Sequence, residues 1–198
     1  MVLEITAVPK RKSRKIPANL IREELGGKPF YYRGYKEVLN GNKQIEEIMG
    51  SSSLQSIIIS IIDFFVSSNI NRKLYWVAAN EAGLHLGHKN NFSTDLGVFL
   101  KEKVVLNDKY FDVAPEMAIE VDVKIDSDHE LDYIFSKSAE MLAFGTQKIA
   151  WIITKNKKII VFAQGQTTQI FDWDNDISLM ENITLNLKKL LDEEDVLY

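Results

Sequence analysis

The sequence predicts an α/β fold with a mixed β-sheet, in the order helix, three antiparallel strands, helix and strand, with flanking helices. Residues 54–66 are apolar nearly all round and too long for one strand, so we expect a buried helix there. β-prone segments follow at residues 74–79, 92–100 and 117–125. A helical repeat then leads to another strand at residues 149–153, which makes a βαβ unit with parallel strands.

Capping patterns place the starts of both helices. Ser52 followed by Gln55, and Ser127 followed by Glu130, are the spacings at which a helix N-terminus closes on itself. Gly145 is the expected end of the second helix. Because the strands between the helices are joined by short connections, we expect them to be antiparallel.

The remaining segments fit the same domain. We predict a flexible basic arm at residues 1–19 and a single domain at residues 20–198, a length that suits one core. Within that domain we expect an aromatic lead-in at residues 30–35, a short helix at 44–49, a loop at 106–115, strands at 159–162 and 170–171, and a helix at 187–191.

Composition limits the class of protein. The absence of cysteine excludes a disulfide scaffold and a cysteine-ligated metal site. No signal-peptide pattern is visible, and residues 57–66 are too short to span a bilayer, so we expect a cytoplasmic protein without membrane contact. The net charge is −4, and outside residues 10–15 it is more acidic still. An acidic body binds nucleic acid poorly unless a bound divalent cation reverses the local charge.

Two carboxylates are the candidate metal ligands. Strand alternation puts Glu120, Asp122 and Lys124 on one face of the segment 117–125, a pattern that a solvated sheet face would also produce. Asp95 lies in a neighbouring predicted strand. If the two strands are adjacent, Asp95 and Glu120 face each other about 5 Å apart, close enough to share Mg²⁺.

Together these segments resemble the restriction-endonuclease family of the Uma-two type, within the PD-(D/E)xK nuclease superfamily. The segments that carry the resemblance are 94–99, 118–121, and the helix and strand from Asp132 through Lys137 and Gly145 to Trp151. The resemblance covers roughly residues 27–190 and implies a restriction-endonuclease-like core. It also implies a Mg²⁺- or Mn²⁺-dependent endonuclease that acts on DNA, with Asp95 and Glu120 as metal ligands, Lys137 as the catalytic lysine and Glu81 as a supporting residue.

The chain departs from this pattern at several positions. Thr94 replaces the motif's proline, Met141 replaces a tyrosine, and Asp122 stands where a plain ExK motif has its lysine. Asp122 is therefore a candidate further metal ligand, and Lys124 is a rival to Lys137 as the catalytic lysine. A binding protein on the same fold and a phosphoesterase for a small substrate remain alternative functions, whereas a homodimer would favour the endonuclease.

Other motifs point to no chemistry. His85 and His88 lie in a strand and a turn, and His129 lies at a helix start, so we interpret all three as surface or structural residues. The tryptophans are expected in the core or in hairpins. No glycine-rich phosphate loop is present, and nothing supports a serine hydrolase.

Overall fold

The computed structural model describes residues 15–125 and 127–198. The helices, in chain order, are α1 (Tyr35–Leu39), α2 (Glu46–Met49), α3 (Ser53–Asn69), α4 (Asp128–Phe144) and α5 (Leu187–Glu193). The strands are β1 (Ile21–Leu25), β2 (Lys28–Tyr31), β3 (Tyr75–Gly87), β4 (Asn90–Leu100), β5 (Met117–Asp122), β6 (Lys148–Ile153), β7 (Lys158–Ala163), β8 (Gln169–Asp172), β9 (Ile177–Met180) and β10 (Ile183–Leu185).

Eight strands form one mixed sheet in the order β2-β1-β4-β5-β6-β7-β8, with β3 paired to β4. The β3–β4 and β4–β5 pairs are antiparallel, and β5 and β6 are parallel across α4, as the sequence predicted. β9 and β10 form a separate hairpin. The predicted α/β class with a mixed sheet is confirmed.

Side chains alternate between two cores because successive residues of a strand point to opposite faces. Along β5, Met117, Ile119 and Val121 belong to the core under α3 and α5, whereas Ala118 belongs to the core under α4. Both faces of the sheet are therefore covered by helices. The interpretation of the Glu120 side of β5 as a solvated face is wrong, because Glu120 is only 2% exposed.

Both helix starts follow the predicted capping. Ser52 Oγ accepts a hydrogen bond from the Gln55 amide, and the Gln55 side chain accepts one from the Ser52 amide, so the capping box at α3 is complete. At α4, Ser127 Oγ accepts from the Glu130 amide. α4 ends at Gly145, whose φ of 123° is a backbone conformation that disfavours a side chain.

α3 is apolar nearly all round, but it is not buried all round. Ile58, Ile62 and Val66 are buried against the sheet, whereas Ile57 and Phe64 are exposed. By length and composition alone, the stretch Glu46–Asn69 could cross a membrane. This stretch is longer than residues 57–66, the apolar segment that the sequence indicated was too short to span a bilayer. Its buried face is explained by packing in the core.

Several predicted boundaries differ from the structure. β5 ends at Asp122 rather than at residue 125, so strand alternation does not extend to Lys124. β1, β9 and β10 were not predicted. Most of the predicted basic arm, residues 1–14, lies outside the described residues, and the single domain at residues 20–198 stays a prediction.

Candidate active site

The candidate site lies in a fork of the sheet, on the face covered by α4. β3 occupies one edge of β4, so β1 and β5 share the other edge, where β5 pairs at residues 96–98 and β1 pairs at Asn91. The β4 residues between these two pairings line the fork. Asp95 is one of them.

The two predicted acids meet across this fork. Leu96 pairs with Ile119, and extension of that register by one residue sets Asp95 opposite Glu120. Asp95 Oδ2 accepts a hydrogen bond from the Val121 amide at 2.7 Å, which fixes the side chain against β5. Glu120 Oε2 accepts from Lys137, whereas its buried Oε1 has no hydrogen-bond partner among the described residues.

Lys137 reaches the acids from α4. Its ammonium, only 1% exposed, donates to Glu120 Oε2 and to Glu23 Oε1, each at 3.1 Å. It also donates to the Tyr133 hydroxyl at 3.3 Å, and that hydroxyl donates to Glu23 Oε2 at 2.6 Å. Tyr133 lies four residues before Lys137, one turn of the helix away, so both side chains project from the same face of α4.

Burial controls the protonation of this cluster. Burial raises the pKa of Glu120 to about 8, although the charge of Lys137 acts in the opposite direction. Burial also raises the pKa of Asp95, against the hydrogen bond from the Val121 amide. Burial alone would lower the pKa of Lys137, but Glu120 and Glu23 outweigh it and raise that pKa, so the ammonium stays charged.

One open cavity of about 680 Å³ contains the carboxylates and the ammonium of this cluster, whereas Tyr133 lines a neighbouring cavity. Asp95, Glu120, Lys137 and Glu23 line the open cavity, together with Glu81. Its wall holds seven acidic and five basic side chains, so the cavity favours a cation over a bare phosphate. The structure thus brings the predicted acids and the predicted helix lysine into one open site.

The third candidate ligand, Asp122, and the possible supporting residue, Glu81, are placed differently. Asp122 Oδ1 lies 3.2 Å from Arg33 and also accepts from the Val123 amide, and Asp122 Oδ2 lies 3.9 Å from Arg22. Asp122 therefore orders two arginines at the rim of the cavity. Glu81 is exposed in a bulge of β3, with a positive φ of 54°.

Lys124, the rival lysine, lies past the end of β5 and lines the same cavity. Its backbone carbonyl accepts a hydrogen bond from Arg33. By contrast, the ammonium of Lys137 contacts Glu120 directly. The position of Lys137 therefore couples it to a predicted acid.

The structure places His85, His88 and the tryptophans Trp151 and Trp173 at surface and core positions, as the sequence predicted. His85 and His88 are exposed, and His85 Nδ1 lies 2.5 Å from Asn91 Oδ1. Trp151 is buried and donates to Ser138 Oγ, and Trp173 is also buried. Among residues 15–125 and 127–198, no group of three histidine, aspartate or glutamate side chains is arranged to hold a metal ion.

Glu23 and Tyr133 are site residues that the sequence interpretation missed. A signal for Glu23 exists: Gly26 and Gly27 form the two-residue turn of a hairpin, which identifies residues 21–25 as a strand. The burial pattern of that strand puts Glu23 on the same side as Leu25, toward the core. Tyr133 is marked only by its spacing of four from Lys137, which is weak evidence without the fold.

Comparison with known proteins shows the fold. A solved structure from Anabaena variabilis, described as "a putative nuclease belonging to DUF820", is similar to this chain with a TM-score of 0.61 and 18% sequence identity. The similarity covers 85% of this chain and 88% of that chain. No family model and no curated protein matches the sequence. The chain therefore has a nuclease-like fold, whereas at this identity its activity has to be argued from the site.

Proposed function

We propose that the protein is a Mg²⁺- or Mn²⁺-dependent endonuclease of the PD-(D/E)xK superfamily, of the Uma-two type, that hydrolyses phosphodiester bonds in DNA. The observation that carries the proposal is the unpartnered buried oxygen of Glu120, in a cavity that Asp95 and the ammonium of Lys137 also line. A buried carboxylate oxygen without a partner is costly and calls for a ligand. The nuclease-like fold supports the same reaction class by analogy.

Asp95 and Glu120 fit as the metal-holding residues. Glu120 Oε1 is unpartnered, and Asp95 Oδ2 is already oriented by the Val121 amide. Two carboxylates suit Mg²⁺, which keeps water and phosphate oxygens as its other ligands. Zinc, which takes three or four protein ligands, does not suit this donor set. We leave Asp122 out of the ligand set, because its oxygens face Arg22 and Arg33.

The cation, when bound, supplies Lewis acidity toward the phosphate and lowers the pKa of a coordinated water. Lys137 has three N–H donors, and Glu23, Glu120 and Tyr133 occupy all of them. The contact with Glu120 is the one that substrate can replace, because Glu23 and Tyr133 remain as anchors. The released N–H then donates to a phosphate oxygen, where negative charge develops in the transition state.

Two further residues complete the proposal. We assign the catalytic role to Lys137, because its ammonium lies 3.1 Å from Glu120 Oε2 inside the cavity that Asp95 also lines. Glu81 is a supporting residue, exposed on the cavity wall, and its charge acts on Asp95. We further propose DNA as the partner, a homodimer that places two sites on a duplex, and a cytoplasmic location.

A binding protein on the same fold, without catalytic activity and with a ligand other than DNA, is the second candidate. The acidic majority on the cavity wall favours it, because that wall repels the DNA backbone when no cation is bound. The two candidates differ in turnover, so cleavage distinguishes them.

Cleavage of supercoiled and linear DNA, with Mg²⁺, Mn²⁺ or EDTA, tests the proposal. We expect metal-dependent nicking by the wild type, loss of nicking in Asp95→Asn and Glu120→Gln, and unchanged nicking in Asp172→Asn. Asp172 is the matched control, since it is an exposed acid whose partner is Lys158. A wild type that does not cut DNA, or an Asp95→Asn variant that cuts as well as Asp172→Asn, would contradict the nuclease and favour the binding protein.

A further inference from the structure

A second, smaller cavity of about 290 Å³ adjoins the acidic one. We call it the tyrosine pocket. Its defining rings are Tyr31 at the end of β2, Tyr32 in the connection, Tyr35 at the start of α1, and His129 and Tyr133 from the first turns of α4. Arg22, Arg33 and Asp122 line both cavities, so the two share a wall. A ligand in the acidic cavity therefore reaches the tyrosine pocket without crossing the fold.

Two aromatic rings of this pocket are already stacked on each other. Tyr31 and Tyr35 stack with their centroids 4.8 Å apart and their planes 29° from parallel. Gly34 makes the tight turn that allows this stack, because its φ is 87° and an added Cβ would lie 3.0 Å from Ile48. Tyr31, Tyr32 and Tyr35 are half-buried, so part of each ring faces the open space. Such rings are the platforms on which nucleobases stack.

The charges around the pocket are balanced. Three basic and three acidic side chains line it, and the described contacts pair Arg33 with Asp122 and Glu130. Arg22 packs over the Tyr133 ring, 5.0 Å from its centroid. With its arginines already paired or stacked, the pocket suits an uncharged planar ring better than a phosphate. Its volume is just below the range of roughly 300–1,000 Å³ for small-molecule sites, which limits the ligand to about one ring system.

We propose that the tyrosine pocket binds one nucleobase of the substrate strand, next to the phosphate that is cut in the acidic cavity. This proposal rests on the proposed nuclease function. A base can enter the pocket only when it is out of the helical stack, so a single strand can supply it directly and a duplex only where it is locally unpaired at the cut site. Replacement of Tyr35 removes one ring of the stacked pair and so tests the aromatic platform.

Binding of labelled single-stranded DNA, followed by fluorescence anisotropy with Ca²⁺ in place of Mg²⁺, tests the pocket separately from cleavage. The probes are an oligothymidylate and an abasic strand of equal length and charge. We expect the wild type to prefer the oligothymidylate. Tyr35→Ala should lose about 5- to 150-fold in affinity for it, the range for one stacked base, with no change for the abasic strand.

Controls separate the ring from the fold. Tyr35→Phe should bind as the wild type does, and so should Tyr110→Ala, which removes an exposed tyrosine outside the pocket. Tyr32→Ala is the second variant, in case Tyr35→Ala unfolds α1, and it should also weaken binding of the oligothymidylate alone. Equal binding of both strands by the wild type, or Tyr35→Ala and Tyr32→Ala variants that keep the preference, would overturn the pocket.

These experiments distinguish failure of the pocket from failure of the nuclease. A base preference that Tyr35→Ala abolishes supports the pocket even if the protein cuts no DNA, an outcome that would contradict only the nuclease. Metal-dependent cleavage without any base preference would overturn the pocket and leave the nuclease intact. If thymidine 5′-monophosphate binds as tightly as the strand, the pocket binds a free nucleotide, and the proposal that the base comes from DNA is wrong.

Discussion

Replacement of Lys137 by methionine removes the buried ammonium that lies between Glu23 and Glu120 and keeps most of the side-chain length. Each carboxylate oxygen lies 3.1 Å from the ammonium. Each such contact corresponds to about 5 kcal/mol of attraction at an effective dielectric constant of about 20. The desolvation of the buried charges offsets several kcal/mol of this. We therefore expect a loss of about 3–5 kcal/mol in the free energy of unfolding, the usual result when one partner of a buried pair is removed.

The loss should grow with pH. Glu120 has a pKa of about 8 in the folded protein, raised from 4.5. The stability that this raised pKa contributes is fully present below about pH 4.5 and is lost as the pH rises through 8. Lys137 moderates that loss, because its charge favours the ionised carboxylate. Without Lys137, the cost of ionising Glu120 is larger, so the variant should be further below the wild type at pH 9 than at pH 6.

Urea unfolding followed by tryptophan fluorescence at pH 6 and pH 9 measures this difference. Lys158→Met is the matched control, because Lys158 pairs with Asp172 where both are exposed. Such a surface pair contributes about 0–1 kcal/mol. A Lys137→Met variant no less stable than Lys158→Met at pH 9, or one whose deficit shrinks as the pH rises, would refute the electrostatic role assigned to Lys137.

Two further predictions concern the same region. Mg²⁺ binding, measured by calorimetry, should weaken about fivefold from pH 8 to pH 7, because Glu120, with its pKa of about 8, must lose its proton to bind the cation; an affinity that is constant from pH 6 to pH 9 would contradict this. Ser52→Ala should lower the free energy of unfolding by about 1 kcal/mol, because Ser52 Oγ caps α3. Thermal unfolding measures this loss. Ser68→Ala, near the other end of α3 and outside any cap, should lower the free energy of unfolding by less than half as much, and equal effects of the two substitutions would contradict a stabilising role of the Ser52 cap.

Much of the architecture could be predicted from local signals. Short-range patterns predicted the capping box at Ser52, the end of α4 at Gly145 and the βαβ unit around α4. They could do so because caps, turns and apolar periodicity depend on residues only a few positions apart. The pairing of Asp95 with Glu120 also followed from alternation, once the two strands were taken as neighbours. The nuclease-like fold expected from these segments is confirmed.

Boundaries and burial were decided by the tertiary structure. The sequence could not show that the Glu120 side of β5 is buried, because period-two alternation looks the same for a solvated face and for one covered by a helix. It could not end β5 at Asp122, because that end depends on where β6 stops pairing and on the arginines that Asp122 meets.

The sequence alone determined which residue types were available for chemistry: two acids on neighbouring strands and a lysine on the following helix. Only the tertiary structure decided that the ammonium of Lys137 enters the site, because Glu23 from β1 and Tyr133 from α4 hold it there. Glu23 lies 114 residues from Lys137 in the chain. Contacts over such distances arise from the packing of whole elements, so no local pattern records them.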